Sequence, residues 1–169
     1  MKNSSYLLAG LLFFICSVPA MAHTENQDTT TQVHHESTRY GVGFQSTWPA
    51  WGISGMIDLN ETLSAQAILG FFGNFNTVSG RGLYRFRQED YWDLYGYGMI
   101  GYWRYNTRFI TAENRLGVGA GAGIQYDWRT FDPNLPPIFW NLELGVSFVN
   151  FDAYNFNMIT FGTGVHYRF

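Results

Sequence analysis

Residues 157–169 run Asn157-Met158-Ile159-Thr160-Phe161-Gly162-Thr163-Gly164-Val165-His166-Tyr167-Arg168-Phe169, and the chain ends there. Ile159, Phe161, Thr163, Val165, Tyr167 and Phe169 share one side of an extended strand. Met158, Thr160, Gly162, Gly164, His166 and Arg168 share the other. The first side is apolar and finishes in aromatics; the second is small or polar. Successive side chains of a strand point to opposite faces, so this period of two predicts a β-strand between an apolar and a polar environment.

Working back towards the N-terminus, the same alternation returns. It predicts strands at about 38–48, 51–59, 62–72, 76–88, 91–104, 114–128 and 138–149, each bounded by turn residues. Pro49-Ala50, Asn60-Glu61, Gly73-Asn74 and Gln88-Glu89-Asp90 supply tight reversals. Residues 129–137 carry three prolines and predict a loop, because proline cannot donate to a sheet ladder. Residues 105–113 and 150–155 are expected to be loops as well. The strand at 91–104 is hardest to phase, since Trp92, Leu94, Ile100 and Tyr102 compete with Tyr95, Tyr97, Met99 and Trp103. The first set is assigned to the apolar side, which turns Asp93 to the polar one.

The six tryptophans decide what the apolar side meets. Trp48, Trp51 and Trp103 fall at one set of strand ends, and Trp92, Trp128 and Trp140 at the other. Tyr40, Tyr84, Tyr126, Tyr167 and Phe169 join the second set. Two aromatic belts with Val, Ile, Leu and Ala between them suit a bilayer, whose headgroup level favours amphipathic rings. A soluble sandwich would bury its tryptophans in mid-strand. The expectation is an all-β fold, an eight-stranded antiparallel up-and-down transmembrane β-barrel over residues 38–169. About 130 residues over eight strands leave roughly 16 per strand and link, which suits membrane strands of ~9–11 residues. With both termini periplasmic, reversals at 49–50, 73–75, 105–113 and 150–155 face outward, and those at 60–61, 88–90 and 129–137 face the periplasm.

The polar faces gather the chemistry-bearing residues. The interior set includes Arg39, Asp58, Arg81, Arg85, Arg87, Asp93, Arg115, Asp127, Glu143, His166 and Arg168. The expected lumen network is Arg81, Arg85, Arg115, Glu143, Asp58, His166 and Arg168. An eight-stranded barrel has an interior just wide enough for side chains to fill, so these charges must pair. Glu143 is the natural partner of Arg115 or Arg81, and a salt-bridged plug is expected rather than an open pore. An alternative use of Gly117, Gly119, Gly121 and Gly123 is to leave space for a narrow pore.

Residues 1–22 predict a cleaved secretory signal: Lys2, an apolar run from Tyr6 to Cys16, and Ala20-Met21-Ala22 as the cleavage site. That run is too short for a membrane helix. Ile15 before Cys16 argues against lipid attachment. Cys16 is the only cysteine and Lys2 the only lysine. The processed chain therefore has no disulfide. A net charge of −3 without a basic patch excludes nucleic acid as a partner. Residues 23–37 are polar and predict a flexible periplasmic arm. His23, His34 and His35 lie in it without a recognisable metal-ligand spacing, so no metal or cofactor is expected.

With its signal peptide, the Gly-rich strand Arg115-Leu116-Gly117-Val118-Gly119-Ala120-Gly121-Ala122-Gly123-Ile124, the strand Asn141-Leu142-Glu143-Leu144-Gly145-Val146 and the ending Gly164-Val165-His166-Tyr167-Arg168-Phe169, the chain resembles the small eight-stranded outer-membrane β-barrels, the OmpA transmembrane-domain and OmpX type. The resemblance covers residues 38–169. It implies integral residence in the outer membrane of a Gram-negative bacterium, contact with lipid and lipopolysaccharide, and recognition of Phe169 and Tyr167 by the outer-membrane assembly machinery. A porin-like, monomeric, non-catalytic barrel that supports the envelope or binds at the cell surface is the expected function. The alternative from another class is a lipid A modifying enzyme. A deacylase needs a serine activated by a histidine and an acid; the barrel offers only Ser147, His166 and Glu143, opening into the lumen.

Overall fold

A computed structural model describes residues 39–72, 75–107, 110–150 and 158–169. The signal segment, the polar arm and residues 151–157 lie outside the described residues. Eight strands follow in chain order: β1 Tyr40–Thr47, β2 Ala50–Asp58, β3 Leu63–Phe72, β4 Phe75–Gln88, β5 Trp92–Thr107, β6 Ile110–Asp127, β7 Ile138–Val149 and β8 Met158–Arg168. Each pairs antiparallel with its neighbours in sequence, and β1 pairs β8 to close a barrel. Closure leaves no free sheet edge along the wall. The seam is completed by reciprocal backbone bonds, Tyr40 N to Phe169 O at 3.0 Å and Phe169 N to Tyr40 O at 2.8 Å.

The faces sort as the period of two requires. Val42, Ile53, Leu69, Val78, Ile100, Val118, Leu144, Ile159 and Phe161 are exposed on the outside. Gln45, Ser54, Gln66, Arg81, Asn141, Glu143 and His166 are buried inside. A water-soluble protein inverts this order, since exposed apolar area costs about 25 cal/mol per Å² in water. In β5, Ile100 and Tyr102 face out while Tyr95, Tyr97, Met99 and Trp103 face in.

Two sequence expectations are corrected here. Trp103 stands at the strand end assigned to it but points inward and is fully buried, so it belongs to no belt. Its place in the inward set of β5 outweighs the general preference of tryptophan for the interface. Arg87 is not in the lumen. The β4–β5 register shifts between Arg85 and Arg87; the bulge turns Arg87 out, where it meets Glu89 at 2.8 Å.

Residues 105–107 and 110–113 are strand rather than loop, and 108–109 lie outside the described residues. Tyr105 pairs opposite Glu113 and, past a register shift, Thr107 opposite Ile110. Pairing of β6 with β7 stops at Gly117↔Val149. The β5–β6 hairpin therefore extends beyond the β7 rim.

Candidate functional site

Interior side chains meet by one recurring device. A polar residue on one strand reaches a residue two strands away because the strand between them carries glycine at that level. Gly123 lies between Tyr95 on β5 and Glu143 on β7. Gly162 lies between Glu143 and Thr47 on β1, and Gly164 between Asn141 and Gln45. Gly43 separates Ser54 from His166, and Gly41 separates Met56 from Arg168. Without a Cβ in the way, the flanking side chains close over the glycine backbone.

Glu143 is the hub at mid-wall. Its carboxylate accepts from Arg81 Nη1 at 2.8 and 3.1 Å, from Tyr95 Oη at 2.8 Å and from Thr47 Oγ1 at 2.5 Å. Both charged side chains are fully buried. Arg81 also lies over the Tyr97 ring, 4.7 Å from its centroid. Thr47 accepts from Gln45 Nε2 at 2.8 Å, and Gln45 exchanges amide bonds with Asn141. Gly123→Val is expected to lower stability by about 1–3 kcal/mol through overpacking. An added Cβ there would stand 2.6 Å from the Tyr95 hydroxyl and 3.0 Å from Glu143 Cγ. Urea titration of the folded barrel in detergent measures the loss.

Beside this hub, His166 Nε2 lies 2.9 Å from Ser54 Oγ and 3.2 Å from Gln66 Nε2, while Gln66 Nε2 donates to Ser54 Oγ at 2.7 Å. Towards the end that holds the chain seam, Asp58 ties two arginines. Arg85 Nη2 donates to it at 2.7 Å, Arg168 Nη1 at 3.3 Å and Ser64 Oγ at 2.5 Å. Asp93 lies 3.7 Å from Arg85 and accepts from Gln125, which in turn accepts from Arg168 at 3.0 Å. The Arg168 guanidinium covers the Phe139 ring at 4.5 Å. At the opposite end Trp103 Nε1 donates to Pro49 O at 2.9 Å, bridging from β5 to the β1–β2 turn. Trp103, Ala50, Ile68, Phe75 and Val149 are all buried there.

The structure thus brings Arg81 to Glu143, and Arg85 and Arg168 to Asp58. It does not bring Arg115 to Glu143. Gly123 faces Glu143, and Arg115 is eight residues further along β6, ~27 Å at the usual strand rise. Arg115 is part-exposed beside Glu113, 4.0 Å away. Nor do Glu143, His166 and Ser147 assemble as a triad, because Glu143 is held by Arg81, Tyr95 and Thr47 while His166 bonds Ser54 and Gln66. Gly119, Gly121 and Gly123 lie under Met99, Tyr97 and Tyr95. Tyr95 and Thr47 were missed as network members; their signal was a glycine one strand away at the same level. Among the described residues no group of three or more His, Cys, Asp or Glu could hold a metal ion. Tyr167 and Phe169 are exposed on the outer wall, their rings 6.1 Å apart.

No protein-family model matches the chain, and no curated protein matches it. Solved structures do. The N-terminal β-barrel domain of Pseudomonas aeruginosa OprF superposes with a TM-score of 0.53 at 12% identity, covering 78% of this chain and 96% of that one. The chain has the fold of the small outer-membrane β-barrels. Two further structures align at lower scores: the outer membrane protein Ail of Yersinia pestis in a phospholipid bilayer nanodisc, with a TM-score of 0.43, 17% identity and coverage of 77% and 97%, and the de novo designed TMB2.3, with 0.46, 16%, 78% and 94%. At these identities the likeness is one of fold. In the interior of this barrel Glu143 and Asp58 each collect several donors.

Proposed function

We propose that this chain is an integral outer-membrane barrel without catalytic activity, serving envelope structure or binding at the cell surface, with a closed lumen. The observation that carries the reading is the pairing of a predominantly apolar outer wall with an interior that holds paired charges. The wall requires lipid. Trp103 at one end, and Arg168, Asp58 and Arg85 joined across the other, support a closed lumen. Ser54 and His166 are the nearest approach to a nucleophile and base. Both are buried and enclosed by the network, out of reach of an acyl chain outside the wall. A periplasmic N-terminus places the β5–β6 hairpin on the cell surface, where it is the projecting element for a surface contact. The closed sheet supports a monomer surrounded by lipid and lipopolysaccharide. The exposed Tyr167 and Phe169 are available to the assembly machinery as the terminal strand docks.

Two measurements test the reading. The purified chain in planar bilayers is expected to show no steady conductance; a large, lasting one contradicts the closed lumen. Mass spectrometry of lipid A from cells with and without the protein is expected to show the same acyl pattern; a changed pattern contradicts the absence of catalysis.

A further inference from the structure

The link between β6 and β7 folds back against the outside of the wall. The Asp127 side chain caps the 3-10 turn Trp128–Thr130, accepting from Arg129 N at 2.9 Å. Thr130 Oγ1 fixes the turn by donating to Asp127 O at 2.7 Å. The chain then lays Phe131 against Tyr126, ring centroids 5.7 Å apart at 46°. Tyr126 pairs with Trp140 on the outer face. Tyr126, Trp128, Phe131 and Trp140, with Ile124 and Leu142, enclose a crevice of about 610 Å³.

Place and chemistry together select an occupant. The crevice opens on the exterior wall, so, on the membrane placement proposed above, its occupant comes from the bilayer. Ile124 and Leu142 face each other across β6 and β7 and continue the aliphatic surface. The rings gather at the strand ends, the headgroup level. None of the six lining residues is charged. Arg129, the nearest cation in sequence, is held by Asp127 at 2.7 Å and lies over the inward Phe139 ring. A lipid phosphate therefore finds no cationic partner in the crevice, whereas aromatic faces attract a cation. Phe131 is 75% exposed, leaving ring area for a ligand to cover.

We propose that this crevice binds one zwitterionic phospholipid. Its ammonium lies among the rings of Trp128, Phe131 and Trp140, and the start of one acyl chain lies against Ile124 and Leu142.

The test uses the processed full chain, refolded in detergent and offered equal amounts of phosphatidylethanolamine and phosphatidylglycerol with identical acyl chains. Native mass spectrometry reads the lipid retained. The expected result is one bound lipid with about fivefold preference for phosphatidylethanolamine, equivalent to ~1 kcal/mol. Phe131→Ala and Trp128→Ala are each expected to bring the preference below about twofold, the scale of a lost ring contact. Phe148→Ala, exposed at the far end of β7, leaves it unchanged. Equal retention of the two lipids by the wild-type chain, or a preference that survives both ring removals, overturns the proposal. An unboiled SDS gel separates the two readings. A chain that never forms the compact SDS-resistant band loses the membrane placement and this site with it; one that forms the band without a preference loses only the site.

Discussion

Glu143→Ala lowers the stability of the folded barrel by about 3–5 kcal/mol, the cost of leaving a buried cation without its partner. Among the described residues the carboxylate is the sole ion-pair partner of Arg81, and both side chains are fully buried. Removal also leaves Tyr95 Oη and Thr47 Oγ1 without the acceptor they now use. Each buried polar group left unsatisfied costs about 1–3 kcal/mol. Arg81→Met combined with Glu143→Leu restores much of the loss, since an apolar pair of similar size leaves no charge to desolvate. Tyr95→Phe added to that pair recovers a further part. Urea titration of barrels folded into lipid vesicles gives the values. A Glu143→Ala variant within about 1 kcal/mol of the parent means that Arg81 has other means of compensation, and the hub is wrong.

Leu144→Arg, one residue along the same strand, is the second large effect and follows the opposite rule. Leu144 is 60% exposed, beside Phe161 and Ala122 on the outer wall. On a soluble protein such a surface change lies within about 0.5 kcal/mol of neutral. On a wall set in hydrocarbon, arginine near the midplane costs about 2–4 kcal/mol. The same titration is expected to show a loss in that range in vesicles. Neighbouring positions thus respond to charge in opposite senses: Glu143 requires it and Leu144 refuses it. A neutral Leu144→Arg contradicts the placement of this wall in lipid.

Much of the fold was legible because period two is a direct consequence of strand geometry. The ends of β1, β2, β3 and β4 fall within a few residues of the turn signals Pro49, Asn60, Gly73 and Gln88. Even the ambiguous β5 was phased by one charge: Asp93 in the interior, beside Arg85, sends Trp92, Leu94, Ile100 and Tyr102 to the other side. The β5–β6 hairpin was not legible. Residues 105–113 carry polar groups at both parities, so period two marks no apolar face there. Arg87 was misplaced because a bulge changes parity without a sequence sign.

The interior was legible as a set and not as a wiring diagram. Which strands carry charge follows from alternation; which charges meet depends on the stagger of eight strands around a closed sheet. Glu143 therefore had two candidate partners in the sequence, and only the register separates Arg81 from Arg115. The spacing of Gly162 and Gly164 on β8 against Gln45 and Thr47 on β1 did hold the answer, because glycine at a level opens the path between its two neighbours. Phe131 had no such sign: a proline-rich link shows that the chain leaves the sheet, not which way it folds afterwards.

The most direct test of sorting is nuclear Overhauser contact between lipid acyl protons and protein methyl groups, with the methyl-labelled chain in phospholipid nanodiscs. Strong contacts are expected to Ile53, Leu69, Val118, Leu144 and Ile159, and none to Ile68, Leu83, Met99 and Val149. Contacts of equal strength to both groups, or their absence from Leu144 and Ile159, would contradict a lipid-facing wall around a filled interior.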